Sequence, residues 1–158
     1  MLGTPFHGGF GLVSNCGIPK PNFWAFKILS RLHKSRLVLP ESRNFDIEYA
    51  AFTDGKKVQV LIYAQDNDYG KSEKTEIEVE INISAKSVTA QIIDKNHCNP
   101  KAEWEALGSP DILTKSQVAE IKAKTALKAE EIPFSASGGS TIVKLTIETN
   151  DVILLSLE

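Results

Sequence analysis

Thr75-Glu76-Ile77-Glu78-Val79-Glu80-Ile81-Asn82-Ile83 is the stretch whose reading decides the fold. Ile77, Val79, Ile81 and Ile83 fall on one side of an extended chain. Glu76, Glu78, Glu80 and Asn82 fall on the other. A strict period of two is that of a strand with one buried and one solvated face. Such strands belong to antiparallel sheets, because parallel sheets bury both faces.

The same period recurs on both sides of this stretch. From about Arg36 onward Phe45, Ile47, Tyr49 and Ala51 alternate with Asp46, Glu48 and Ala50. Asp54-Gly55 then gives a hairpin signal, with Val58 to Tyr63 as the return strand and Gln65 to Ser72 as a polar loop. Val88 to Asp94, Thr141 to Glu148 and Val152 to Leu157 complete the set, with Ser135 to Ser140 expected as a flexible Gly/Ser loop. Roughly seven strands of this kind predict a mainly β fold, an antiparallel β-sandwich. A short helical insertion interrupts it. Asn99-Pro100 opens one helix through Leu107, stopped by Gly108. Thr114 caps a second, with Gln117 at the capping-box position and Val118 and Ile121 on its apolar side.

The N-terminal part has a different character. Phe6-His7-Gly8-Gly9-Phe10-Gly11-Leu12 and Gly17-Ile18-Pro19-Lys20-Pro21 read as loop. Pro21 suits the first turn of a helix, predicted from Pro21 to Lys34, with Phe23, Phe26, Ile28, Leu29 and Leu32 as its apolar face. Arg31, His33 and Lys34 would complement the negative end of its dipole. A glycine-rich segment of this kind normally follows a strand in an α/β layer. Only five residues precede Phe6, so the chain is expected to be the tail end of something larger.

Composition bounds the function. The chain has 158 residues, 42% apolar and 24% charged, with a net charge of −2. That is a soluble globular composition without the basic face that nucleic-acid binding requires. No apolar run approaches the roughly 18 residues of a membrane span, and the first residues lack the basic cluster of a signal peptide. Compartment is unreadable. Cys16 and Cys98 are too few for a disulfide framework, and two free thiols are expected.

Three blocks, in order, resemble glycoside hydrolase family 39, the β-xylosidase family. The first is Phe6 to Leu12 with Gly17 to Pro21 and Ala25-Phe26-Lys27. The second is Ile93 to Pro100, continuing through Trp104 to Gly108-Ser109-Pro110 and Leu113-Thr114. The third is Val152 to Leu157. The resemblance covers essentially the whole chain and matches the C-terminal third of such an enzyme. It implies that residues 1–35 are the last loop and helix of a truncated (β/α)8 barrel, and that residues 36–158 are a β-sandwich accessory domain. The family is a retaining one with two catalytic glutamates upstream of the glycine-rich block. The acid/base glutamate follows an asparagine, and no asparagine here precedes Glu. No residue of this chain inherits a catalytic role, and the chain alone is predicted to be inactive. Phe6, His7 and Phe10 are expected to line a sugar pocket only in an intact barrel, at the mouth where such barrels carry their sites.

Glu76, Glu78 and Glu80 stand roughly 6.6 Å apart along one strand face and cannot flank a sugar as retaining carboxylates do; a solvated outer face is the plainer reading. His97-Cys98 lacks the paired spacing of a zinc site and reads as part of a structured turn over Asp94 to Pro100. Asp66, Asn67, Asp68 and Gly70 only faintly echo a calcium loop. No metal and no cofactor is expected. Trp24, Trp104, Tyr63 and Tyr69 are candidates for a sugar platform, but aromatics also build cores. Trp24 is expected to pack on barrel and sandwich, and Trp104 to cover the sandwich. The implied partners are the barrel, in cis or in trans, and xylo-oligosaccharide through the parent enzyme, and a homo-oligomer stays open. The rivals are a stand-alone carbohydrate-binding module and the completing half of a split glycosidase.

Overall fold

The computed structural model describes residues 4–42, 46–66 and 72–158. Two compact units emerge: residues 1–31 with 93–127, and residues 32–92 with 128–158. The second unit is the β-sandwich, mainly antiparallel as the period of two requires. Its strands are β1 (Ser35–Arg36), β2 (Ile47–Thr53), β3 (Val58–Ala64), β4 (Lys74–Ile81), β5 (Val88–Ile93), β6 (Glu130–Glu131), β7 (Ser135–Ser137), β8 (Ser140–Glu148) and β9 (Val152–Leu157). One sheet has the order β1-β2-β3-β9-β5-β6, the other β4-β8-β7.

The deciding stretch forms β4. It pairs antiparallel with β8, Glu78 opposite Lys144 and Val79 opposite Val143. Ile77, Val79 and Ile81 pack on the core, where Val143, Leu155 and Leu157 are fully buried. The glutamates face outward: Glu78 pairs with Lys144 at 3.3 Å, and Glu76 accepts a hydrogen bond from Thr146. β3 lies between β2 and β9 and buries every residue but Tyr63, so apart from Gln59 its buried residues are apolar and do not alternate with polar ones. Each buried Leu, Ile or Val there contributes about 1.5–3 kcal/mol.

The Asp54-Gly55 hairpin forms as predicted. Gly55 takes φ +92°, and Asp54 accepts from the backbone N–H of Lys56 and Lys57 at 2.9 Å each. Those bonds, that of Lys57 first, hold the Asp54 carboxyl below the usual carboxylate range. The Ser135 to Ser140 loop is a correction: it is a hairpin. Ser137 pairs with Ser140, and Gly138 and Gly139, both at positive φ, form the two-residue turn between β7 and β8. That backbone is the primed turn whose twist matches paired strands. Phe45 lies outside the described residues. β1 and β6 have two residues each, too few for any period to show.

Three helices belong to the first unit: α1 (Pro21–Leu29), α2 (Pro100–Ala106) and α3 (Lys115–Lys124). α1 ends five residues before the predicted Lys34. The Ser30 hydroxyl donates back to the Lys27 carbonyl at 2.8 Å, and Arg31 N–H reaches Ile28 by a tighter three-residue step, which closes the last turn. The predicted caps are in place. Asn99 accepts from Ala102 N–H at the start of α2, and Thr114 with Gln117 forms the full capping box of α3. Among the described residues no helix is long and apolar enough to cross a membrane.

Candidate functional site

The first unit is organised by its glycine-rich loop. Gly17, at φ +78°, turns the chain back so that Val13 bridges Pro19. The buried Ser14 holds the turn. Its N–H donates to the Ile18 carbonyl at 2.9 Å, and its hydroxyl accepts from Ile18 N–H at 3.1 Å. This buries Ile18 completely beside Trp104 and Ile121, with Phe6, Cys16, Leu113 and Val118 packed around them.

The Trp104 indole belongs to this small core. Phe6 lies against it with ring centroids 5.7 Å apart, and its Nε1–H donates to the Pro110 carbonyl at 2.9 Å. Gly108 and Ser109, both at positive φ, bend the chain after α2 and bring that carbonyl back.

Four successive loop carbonyls are stapled from the start of α1. Lys20 N–H donates to Leu12 at 2.9 Å, and the Lys20 ammonium donates to Gly9 at 2.9 Å and to Phe10 at 3.5 Å. The Asn22 amide donates to Gly11 at 3.4 Å. Pro21 forces Lys20 into extended backbone (φ −91°, ψ 168°), as a residue before proline must be. Beside the staple lies an open cavity of about 580 Å³, bounded by residues 6–9, Lys20, Pro21 and Asn99 to Lys101.

Phe6 and His7 line this cavity. Phe10 does not; its ring is fully exposed. His7 is exposed, and its Nδ1 accepts from Gly9 N–H at 3.1 Å. Lys20, Asn99 and Lys101 also line the cavity, and no motif in the sequence marks them as site residues. The signal for Lys20 was its place between Pro19 and Pro21, which fixes its backbone.

The second block folds as the predicted turn. Asp94 Oδ1 accepts from the N–H groups of Asn96 and His97 at 2.7 and 2.6 Å, and meets His97 Nδ1 at 2.8 Å. Cys98 is buried with φ +59°. Burial, then the Asp94 charge, pushes its thiol up to about 12, so it is protonated at neutral pH. Neither Cys16 nor Cys98 is in a disulfide. Asn67, Asp68, Tyr69 and Gly70 lie outside the described residues. Trp24 stacks edge-on against Phe23 at 5.1 Å, and its Nε1 is buried without a hydrogen-bond partner among the described residues. In the second unit Tyr63 is half-exposed on β3, and a cavity of about 550 Å³ opens between residues 39–42, β2, β3 and β4.

The profile of Glycosyl hydrolases family 39 matches residues 3–141. The chain belongs to that family. It is 28% identical over 98% of its length to a β-xylosidase of Caldicellulosiruptor saccharolyticus, and 26% identical over 97% to one of Geobacillus stearothermophilus. The solved structure of a family 39 β-xylosidase from Caulobacter crescentus matches 98% of the chain at 28% identity, with a TM-score of 0.70. The chain spans 32% and 30% of the two curated relatives and 31% of the solved one.

Proposed function

We propose that this chain is the C-terminal portion of a retaining β-xylosidase of family 39, in which residues 1–35 act as the last loop and helix of the catalytic barrel and residues 36–158 as its accessory sandwich. The observation that carries this reading is the coverage. β-Xylosidases are matched by nearly all of this chain, but over only about a third of their own length. The two catalytic glutamates belong to the remaining part, and this chain alone is inert. In the intact enzyme Phe6 and His7 face the sugar from the cavity wall, and Phe10, exposed in this chain, would do so only with the barrel in place. The exposed Phe26 and Leu29 of α1 are the groups that neighbouring barrel helices would cover.

The test is an assay on an aryl β-xyloside, with the chain alone and after co-expression with the barrel portion of a family 39 β-xylosidase. No turnover alone and turnover on reconstitution are expected. Hydrolysis by the chain alone would overturn the reading. Retardation of the chain on xylan gels would instead favour a stand-alone binding module.

A further inference from the structure

We propose that Lys20 and Gly9 are positioning residues that fix His7 as a one-way hydrogen-bond donor, its Nε2–H, on the wall of the 580 Å³ cavity. The ligand class is a sugar ring, whose hydroxyl oxygens can accept that proton; this rests on the reading of the loop as sugar-facing. The argument begins with the tautomer. A neutral imidazole carries one N–H, and the nitrogen that accepts a hydrogen bond cannot be the one that donates. His7 Nδ1 accepts from Gly9 N–H, so the proton sits on Nε2.

The ring stays there because the residue that carries that N–H is itself anchored through its next peptide. The Gly9 carbonyl is bound at 2.9 Å by the Lys20 ammonium, which also reaches the Phe10 carbonyl. Charge-assisted bonds of this kind are about twice as strong as neutral ones. Gly9 must also lack a side chain. A Cβ there would lie 2.3 Å from His7 Cε1 and 2.7 Å from Nδ1, so any substituent drives the imidazole off its acceptor position. The ring is an exposed side chain and can swing away, so this displacement alters the site while sparing the fold.

Long-range proton–nitrogen NMR of the whole chain with the imidazole neutral reads the tautomer directly. Wild type should show an unprotonated Nδ1 and a protonated Nε2 for His7. Gly9→Ala and Lys20→Met should each give averaged nitrogen shifts, with the amide signals of residues 93–127 unchanged, and Lys20→Arg should restore the wild-type pattern. A protonated Nδ1 in wild type, or unaltered shifts in Gly9→Ala, would overturn the assignment. Gly9→Ala keeps the test decisive should Lys20→Met fail to fold. In the reconstituted enzyme both variants should raise KM for an aryl xyloside about 2- to 12-fold with kcat little altered, the worth of one hydrogen bond. An unchanged KM would overturn the sugar-donor role. Failure of wild type to reconstitute at all would sink the barrel reading, while the nitrogen shifts still decide whether Lys20 and Gly9 hold His7.

Discussion

The sandwich unit and the loop-and-helix unit satisfy their side chains in opposite ways. In the sandwich, thirteen buried residues from both sheets form one cluster, and its strands bond to each other in register. In the loop-and-helix unit, among the described residues, Ile18, Trp104 and Ile121 form a small cluster and Ile28, Ile93 and Cys98 are also buried, while Phe10, Phe26 and Leu29 are exposed and Trp24 Nε1 is buried without a partner. The first arrangement stores its stability in apolar burial. The second stores it in caps, turns and carbonyl staples, and leaves apolar surface open. Substitutions should therefore cost most in the sandwich and change surface behaviour most in the other unit.

The largest effect is expected at Leu155, fully buried on β9. Leu155→Ala should cost about 2–5 kcal/mol, the transfer and cavity cost of a buried leucine, read as a lower urea midpoint. A loss under about 0.5 kcal/mol, the scale of a surface change, would mean that the sandwich core is not the stability reserve described above.

Cys98 tests burial in the smaller unit. Its folded-state pKa is raised to about 12, above the ordinary thiol value of about 8.5. The unfolded chain therefore loses its thiol proton first as pH rises. The associated stability is fully present below about pH 8.5 and is lost as pH climbs toward 12. Cys98→Ala should flatten the alkaline decline of the urea midpoint in that window. At neutral pH a maleimide should label the half-buried Cys16 and spare Cys98. Equal labelling of both would show that Cys98 is accessible.

Thr114→Ala removes the hydroxyl that accepts from Gln117 N–H and breaks the capping box. The expected cost is about 1 kcal/mol, seen as faster amide exchange across residues 115–124. Exchange that stays unchanged would show that packing through Ile121, rather than the cap, holds α3.

These sites also mark what the sequence could and could not disclose. β4, the Asp54-Gly55 turn and both helix caps are local: the period, the φ requirement or the capping hydroxyl lies within a few residues of the element it defines. β7 was not legible, because Gly138-Gly139 suits either a slack loop or a tight primed turn and only the pairing of β7 with β8 decides. α1 was drawn too long because the apolar pattern continues through Leu32, whereas the stop depends on the Ser30 hydroxyl. The partners of Trp104 were not legible, because an amphipathic helix discloses that it buries a face, not that Ile18 and Ile121 lie against it. The family was legible from three blocks. The cavity was not, because its wall is fixed by a lysine holding backbone carbonyls ten and eleven residues away, and carbonyls have no sequence signature.

The smallest effect on stability is the sharpest test of the contrast. Phe26 and Leu29 lie three residues apart on α1 and are 61% and 51% exposed, so they share one face of the helix. Replacing both with Gln, a good helix former, should change stability by less than about 0.5 kcal/mol per site. If this face is the open apolar surface of the molecule, the same double substitution should abolish binding of a hydrophobic dye and any concentration-dependent self-association in sedimentation. Sedimentation and dye binding that do not differ from wild type would place the sticky surface elsewhere and remove the reason to assign barrel neighbours to α1. A large loss of stability would mean that Phe26 and Leu29 already have partners, and the two units would then differ in the size of their cores alone.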